Sequence, residues 1–149
     1  MERLYAEALL WAFGFCDETR YNALLDELFM ADSANDLYLQ LEECCGDAAD
    51  TLGRLSRCLE QPDTPFADDV FGRQLFAALR SVYVSCAATY DDLEDFGLRC
   101  HRLWCALPPD MADNEPFLTL VYADDPLNWG DEGEVRRLYE AAFAFYEEK

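Results

Sequence analysis

The chain has 149 residues, of which 52% are hydrophobic and 14% aromatic, and this composition is too apolar for a disordered acidic segment. Its formal net charge of −20 at pH 7 disfavours direct binding to nucleic acid or to an anionic membrane, because both need clustered Lys and Arg. A chain of this length is expected to form one domain over residues 1–149 with a sizeable hydrophobic core.

Apolar residues spaced three and four apart predict four helices in the first part of the chain. Gly14 is the expected stop of the first helix, and Ser33 and Asp47 are the expected N-caps of the third and fourth. The prolines in residues 61–65 predict a break after the fourth helix, because each lacks a backbone N–H and restricts its predecessor. These predicted helices span about residues 2–13, 18–30, 33–45 and 47–60.

Two long helices are predicted next, over about residues 67–88 and 91–107, and a Pro-Pro pair ends the second. The segment 116–123 fits either a short helix begun by Pro116 or a strand rich in β-branched and aromatic residues. We favour the helix, because no other stretch alternates convincingly and a lone strand has no partner. With a last helix over about residues 131–147, the pattern predicts an all-α bundle of about seven or eight helices.

The acidic residues cluster at predicted helix starts, where they satisfy free amide donors and oppose the helix dipole. This placement does not explain why the chain contains 31 Asp and Glu residues but only 11 Lys and Arg. The excess has three interpretations: a solvated surface, an acidic face for a basic protein partner, or imitation of DNA. Because the acids are spread over most helices, DNA mimicry is disfavoured, since it requires one elongated acidic surface.

The cysteine count and the apolar runs bear on where the protein works. Seven cysteines are an odd number, and no loop-rich framework surrounds them, so reduced thiols are expected. No apolar run reaches the roughly 18 residues that a membrane span needs. The N-terminal apolar run also lacks the basic flank of a signal peptide. A cytoplasmic location is therefore expected.

The one histidine, His101, lies four residues before Cys105, so the two share a helical face and could supply two metal ligands. A structural zinc site needs four ligands, and the chain contains no Cys-x-x-Cys motif. We favour a packed or surface histidine beside a core cysteine, with no metal and no cofactor. The motifs of serine hydrolases, P-loops and dinucleotide-binding folds are missing, so no catalytic residue is assigned.

The segment 122–131 places large aromatic and oxygen-bearing side chains in a predicted turn. Trp and Tyr on irregular backbone are over-represented at binding hot spots. The alternative, which we favour, is that Leu127 and Trp129 fold back into the core while Asp131 caps the last helix. The candidate partner-binding residues are Tyr122, Asp124, Asp125, Asn128 and Trp129.

The expected function is a small intracellular interaction or regulatory module that is not an enzyme. It would bind a protein partner, with a basic partner the best fit, through an acidic surface punctuated by aromatic residues. Two alternatives stay open: a DNA-mimicking inhibitor of a DNA-binding protein, and an enzyme or metal-binding protein that uses His101 with nearby cysteines and carboxylates. The aromatic content is also compatible with a homo-oligomer.

Overall fold

The computed structural model describes residues 1–147, and these contain helices and no strand, which confirms the predicted all-α class. No helix in this part of the chain is both long enough and apolar enough to span a bilayer. A 3-10 helix, Asp125–Trp129, precedes the last α-helix. The α-helices are α1 (Glu2–Ala12), α2 (Thr19–Ala31), α3 (Asp36–Glu42), α4 (Ala48–Leu59), α5 (Asp68–Cys86), α6 (Tyr90–Cys105), α7 (Pro109–Ala112), α8 (Thr119–Tyr122) and α9 (Glu132–Ala144).

The chain divides into two compact units, Met1–Ala67 and the residues from Asp68 onward. The first unit holds α1 to α4, and the second holds α5 to α9 together with the 3-10 helix. The boundary falls just after the proline-containing break that the sequence predicts at residues 61–65. That the whole chain is one domain stays a prediction from its length.

Helix α1 forms the centre of the first unit, where it packs against α2 and α4. Apolar residues cover most of its circumference, and Leu4, Ala8 and Leu9 are almost fully buried. Gly14 has φ +77°, a left-handed conformation that favours glycine, and it stops the chain from continuing as a helix. The predicted first helix and its stop are therefore confirmed.

Of the two N-caps predicted in the first unit, Asp47 is confirmed and Ser33 is wrong. Asp47 caps α4 as expected, because its carboxylate accepts the backbone N–H of Asp50 at 2.9 Å. Ser33 does not cap α3. Asn35 does, accepting the backbone N–H of Leu37 at 3.0 Å. The reason is a tight turn in which the N–H of Asn35 donates to the carbonyl of Asp32, so Ser33 lies inside that turn.

The second unit has an aromatic core shared by α5, α6 and α9. The rings of Tyr83, Phe96, Tyr139 and Phe143 pack with centroids between 5.1 and 6.1 Å apart. Segment 116–123 contains the short helix α8 and no strand, as favoured from the sequence. The additional one-turn helix α7 was not predicted, because its two prolines were interpreted only as a stop, whereas the second begins a new helix.

Candidate functional site

The 3-10 helix Asp125–Trp129, called the Trp129 turn below, connects α8 to α9 and is closed at both ends by backbone hydrogen bonds. At its start the N–H of Leu127 donates to the carbonyl of Asp124, and at its end the N–H groups of Gly130 and Asp131 donate to the carbonyls of Leu127 and Pro126, each at 3.0 Å. Gly130 has φ +79° and so reverses the chain where other residues would be strained. The Asp131 carboxylate then caps α9, as predicted. These hydrogen bonds fix the backbone of the turn, which forms a platform for its side chains.

Trp129 extends from this platform into solvent, with 69% of its surface exposed. The expectation that it would fold back into the core is wrong, because Pro126 and Leu127 take the buried positions of the turn. Helix α6 also holds Leu127 in place, because the Tyr90 hydroxyl donates a hydrogen bond to the Leu127 carbonyl at 3.1 Å. Trp129 is therefore accessible to a partner, as a binding residue must be.

Asp124, just before the turn, packs half-buried against Gly97 of α6. A Cβ atom on residue 97 would stand 2.6 Å from the Asp124 Cβ and 2.8 Å from its Oδ2, so only glycine leaves room. Burial is the main cause that raises the pKa of Asp124 above its ordinary value. The charges of Asp125 and Glu94 raise it further, whereas its own backbone N–H and His101 oppose the increase.

The structure brings most of the predicted partner-binding residues together and adds one that the sequence did not reveal. Asp125 and Asn128 are exposed on the turn beside Trp129. Tyr122 is directed elsewhere, because its hydroxyl donates to a Glu115 carboxylate oxygen at 2.9 Å. Glu94 comes from α6, about 30 positions earlier in the chain, and no local pattern indicates it. We call the set Glu94, Asp124, Asp125, Asn128 and Trp129 the Trp129 surface.

The Trp129 surface keeps its negative charge because the nearby arginines have other partners. Arg99 pairs with Asp95 on α6, and Arg137 pairs with Glu134 on α9. Arg136 donates to the carbonyls of Ala87 and Ala88 at the end of α5. The ion pairs that the structure shows for Arg99, Arg136 and Arg137 are made with Asp95, Glu132 and Glu134, none of which belongs to the Trp129 surface. The charge of the Trp129 surface is therefore available to a partner.

The alternative function, metal binding or catalysis at His101, depends on side chains that lie on the surface. His101 and Cys105 are both exposed, and the His101 ring lies edge-on to Trp104 at 6.2 Å. Within residues 1–147, no group of three or more His, Cys, Asp or Glu side chains is arranged to hold a metal ion. Of the two positions expected for the histidine, packed or on the surface, the structure shows the surface one, and the adjacent Cys100 is a buried core cysteine.

Cys100 and Tyr139 lie buried behind the Trp129 surface and are not activated for chemistry. Burial raises the pKa of the Cys100 thiol far above its ordinary value, so the thiol keeps its proton and is a poor nucleophile. Burial likewise raises the pKa of Tyr139, and the neighbouring Cys100 thiol raises it further. Both side chains serve as core.

No protein family matches the chain, and neither a curated protein nor a solved structure is significantly similar to it.

Proposed function

We propose that this protein is a non-enzymatic interaction module that binds a basic protein partner through the Trp129 surface. The observation that carries the proposal is the exposed Trp129 ring, held on a closed turn that also carries the carboxylates of Asp124 and Asp125. Trp is among the residues most enriched at binding hot spots, where it fills a pocket of the partner. A cytoplasmic location, expected from the sequence, belongs to the same proposal.

The partner chemistry follows from the two kinds of group on this surface. An Arg or Lys side chain of the partner stacks on the indole ring, an interaction worth about 0.5–2 kcal/mol depending on how far it is desolvated. The same cation pairs with Asp125 or Glu94. The excess negative charge attracts a basic partner at long range and speeds the encounter, an effect that salt suppresses.

Asp124 adds a pH dependence to this binding. Because its pKa is raised in the free protein, a bound cation shifts Asp124 back toward its charged form. Binding of a basic partner is therefore expected to release protons and to strengthen as the pH rises through the pKa of Asp124. Asp124→Asn removes that dependence while keeping the shape of the side chain.

Affinity capture from a nuclease-treated native lysate tests the proposal, with quantitative mass spectrometry of the retained proteins. We expect a basic protein to be held at low salt, released at high salt and lost on Trp129→Ala. Val84→Ala is the matched control, because Val84 is 74% exposed on α5 of the same unit. For the charges, Asp125→Asn is compared with Glu140→Gln, another exposed acid of that unit.

The comparison of variants decides the outcome. If Trp129→Ala weakens retention no more than Val84→Ala does, the Trp129 surface is not the binding site. If Asp125→Asn and Glu140→Gln have equal effects, net charge alone accounts for the retention. We do not extend the proposal to DNA mimicry or to an enzyme at His101, because no observation in residues 1–147 favours either.

A further inference from the structure

A cleft of about 290 Å³ lies in the second unit, between α5 and the chain around the end of α9. Ala77, in the middle of α5, is exposed there, and the largely buried rings of Phe76, Phe143 and Tyr146 complete the apolar part of the lining. Small-molecule sites combine apolar walls with a few placed polar groups, and their volumes begin at about 300 Å³. The cleft therefore suits a small ligand with an apolar body.

Arg73 and Arg80 line the α5 side of this cleft. They are seven positions apart, which is two helical turns or about 10.5 Å along the axis, so they share a face with Ala77 between them. Arg73 is fixed in place, because its Nη1 donates to the Tyr146 carbonyl at 2.9 Å and its guanidinium lies over the Tyr146 ring, 5.9 Å from the centroid. These contacts of Arg73 are made with uncharged groups, so its positive charge stays available to a ligand.

A carboxylate of the chain itself already occupies part of this cleft. Glu147, three residues beyond the end of α9, forms an ion pair with Arg80. Among residues 1–147, Glu147 is the only acid that lines the cleft, although the chain has a net charge of −20. The two side chains of the pair are 44% and 57% exposed, so the pair is weak and can be exchanged for another carboxylate. The cleft thus holds, from within the chain, the kind of group that a ligand would supply.

Acids at the start of α5 limit the charge that such a ligand can carry. Burial raises the pKa of Tyr146 above its ordinary value, and the charges of Asp69 and Asp68 raise it further, whereas Arg73 opposes the increase. Both carboxylates therefore lie near the Tyr146 side of the cleft, although neither lines it. Because they repel additional negative charge, a ligand with one carboxylate is favoured over a ligand with several.

We propose that this cleft binds a small aromatic monocarboxylate. Its carboxylate lies between Arg73 and Arg80 and accepts hydrogen bonds from their guanidinium groups, whose planar forks match a carboxylate. Its ring packs over Ala77, the apolar stems of the arginines and the accessible edges of the neighbouring rings. Glu147 competes with the ligand for Arg80. No residue of the Trp129 surface lines this cleft, so the site is independent of the proposed function.

The test is a titration of the full chain with phenylacetate at about 0.15 M salt, where charges more than about 8 Å apart are largely screened. NMR spectra follow the backbone amide signal of Ala77 and the Nε–H signal of Arg73. Phenylacetamide is the neutral molecule of the same shape, and acetate is the carboxylate without the apolar body. We expect saturable shifts with phenylacetate, and binding at least about tenfold weaker with each of the other two. Equal binding of either comparison molecule, or no saturable shift, overturns the proposal.

Glu147→Gln is the most diagnostic variant, because it is expected to strengthen binding. Removing the competing carboxylate should increase the affinity for phenylacetate about two- to fivefold, the range for an exposed ion pair, and a damaged fold cannot produce such a gain. Glu140→Gln removes the same charge from an exposed position of α9 outside the cleft and should leave binding unchanged. An equal gain in both variants, or no gain from Glu147→Gln, contradicts the proposed competition.

Two further pairs of variants locate the ligand. Ala77→Leu fills the space over α5 and should weaken binding at least about tenfold, whereas Ala141→Leu, at an exposed position outside the cleft, should not; leucine is a good helix former in both places. Arg73→Gln should weaken binding about tenfold, and Arg102→Gln, an exposed arginine of α6, should leave it unchanged. If either cleft variant binds phenylacetate as tightly as its control does, the assignment is wrong.

The titration is repeated in Trp129→Ala to separate this site from the proposed function. Unchanged binding of phenylacetate is expected, since Trp129 does not line the cleft. A loss of binding in that variant contradicts the proposed location. The two proposals can therefore fail separately: loss of protein capture with intact phenylacetate binding refutes only the function proposed for the Trp129 surface.

Discussion

Gly97→Ala tests the packing that fixes the Trp129 surface in place. In the structure, an added Cβ on residue 97 meets three atoms of the Asp124 side chain, at 2.6 Å (Cβ), 2.8 Å (Oδ2) and 2.9 Å (Cγ). The closest of these is the Cβ atom, so no rotation about χ1 of Asp124 can relieve the contact. The backbone of Asp124, and with it the Trp129 turn, must move relative to α6.

Two opposing contributions determine how much Gly97→Ala changes the free energy of unfolding: the steric contact with Asp124 and the higher helix propensity of alanine. Ordinary van der Waals contact begins at 3.4 Å, so the Cβ pair must separate from 2.6 Å by about 0.8 Å. Overpacking of this kind typically costs about 1–3 kcal/mol. Replacing glycine by alanine inside a helix returns about 1 kcal/mol. We therefore expect a net loss of up to about 2 kcal/mol in the free energy of unfolding.

Gly133→Ala is the control for the helix term, because it lies in α9 of the same unit and its added Cβ comes no closer than 3.5 Å to another group. It is expected to gain up to about 1 kcal/mol. Urea denaturation, followed by circular dichroism, measures both variants. The double variant Gly97→Ala/Asp124→Gly removes all three close contacts, so the two changes should couple by about 1 kcal/mol or more. If Gly97→Ala gains as much stability as Gly133→Ala, the proposed packing is wrong.

Three further predictions concern the same unit. Because the pKa of Asp124 is raised in the folded chain, its folded state holds the proton to higher pH than the unfolded state, where the ordinary value is 3.8. Stability conferred by the bound proton is lost as the pH rises through the folded pKa. Asp124→Asn should thus be more stable than the wild type at pH 7, and urea melts should show this advantage disappear below about pH 4; a constant difference contradicts the sign. Thr89→Ala removes the reciprocal cap of α6 with Asp92 and should cost about 1 kcal/mol in thermal melts, whereas Thr89→Ser should cost little; equal losses would exclude the cap as the cause. Arg136→Met leaves the carbonyls of Ala87 and Ala88 without their donor and should cost about 1.5–3 kcal/mol in urea melts, with Arg136→Lys restoring only part; full recovery by lysine would show that the guanidinium fork is not needed.

The elements that the sequence predicts well depend on local chemistry. The spacing of apolar residues located the long helices, and Gly14, Asp47 and Asp131 act where the rules of helix ends place them. These rules involve only neighbours within one helical turn. The error at Ser33 shows their limit, since several good capping residues follow one another there and the hydrogen bond from Asn35 to Asp32 selects among them.

The candidate site was predicted only in part because its key contacts are tertiary. The sequence located the segment around Trp129, but the expectation that both Leu127 and Trp129 are buried is right only for Leu127. The contact of Gly97 with Asp124 joins residues 27 positions apart, and a glycine inside a helix indicates such a partner only when its neighbour is known.

The most direct test of the proposed function is the dissociation constant of the basic protein retained in the capture experiment, measured with purified components at low and high salt. We predict that Trp129→Ala weakens binding by about tenfold or more at low salt, as expected for a hot-spot residue, while Val84→Ala changes it less than twofold, roughly the limit for a surface residue outside the interface. We also predict that salt weakens binding of the wild type. Equal affinities for the two variants, or the retention of no basic protein at all, would contradict the account.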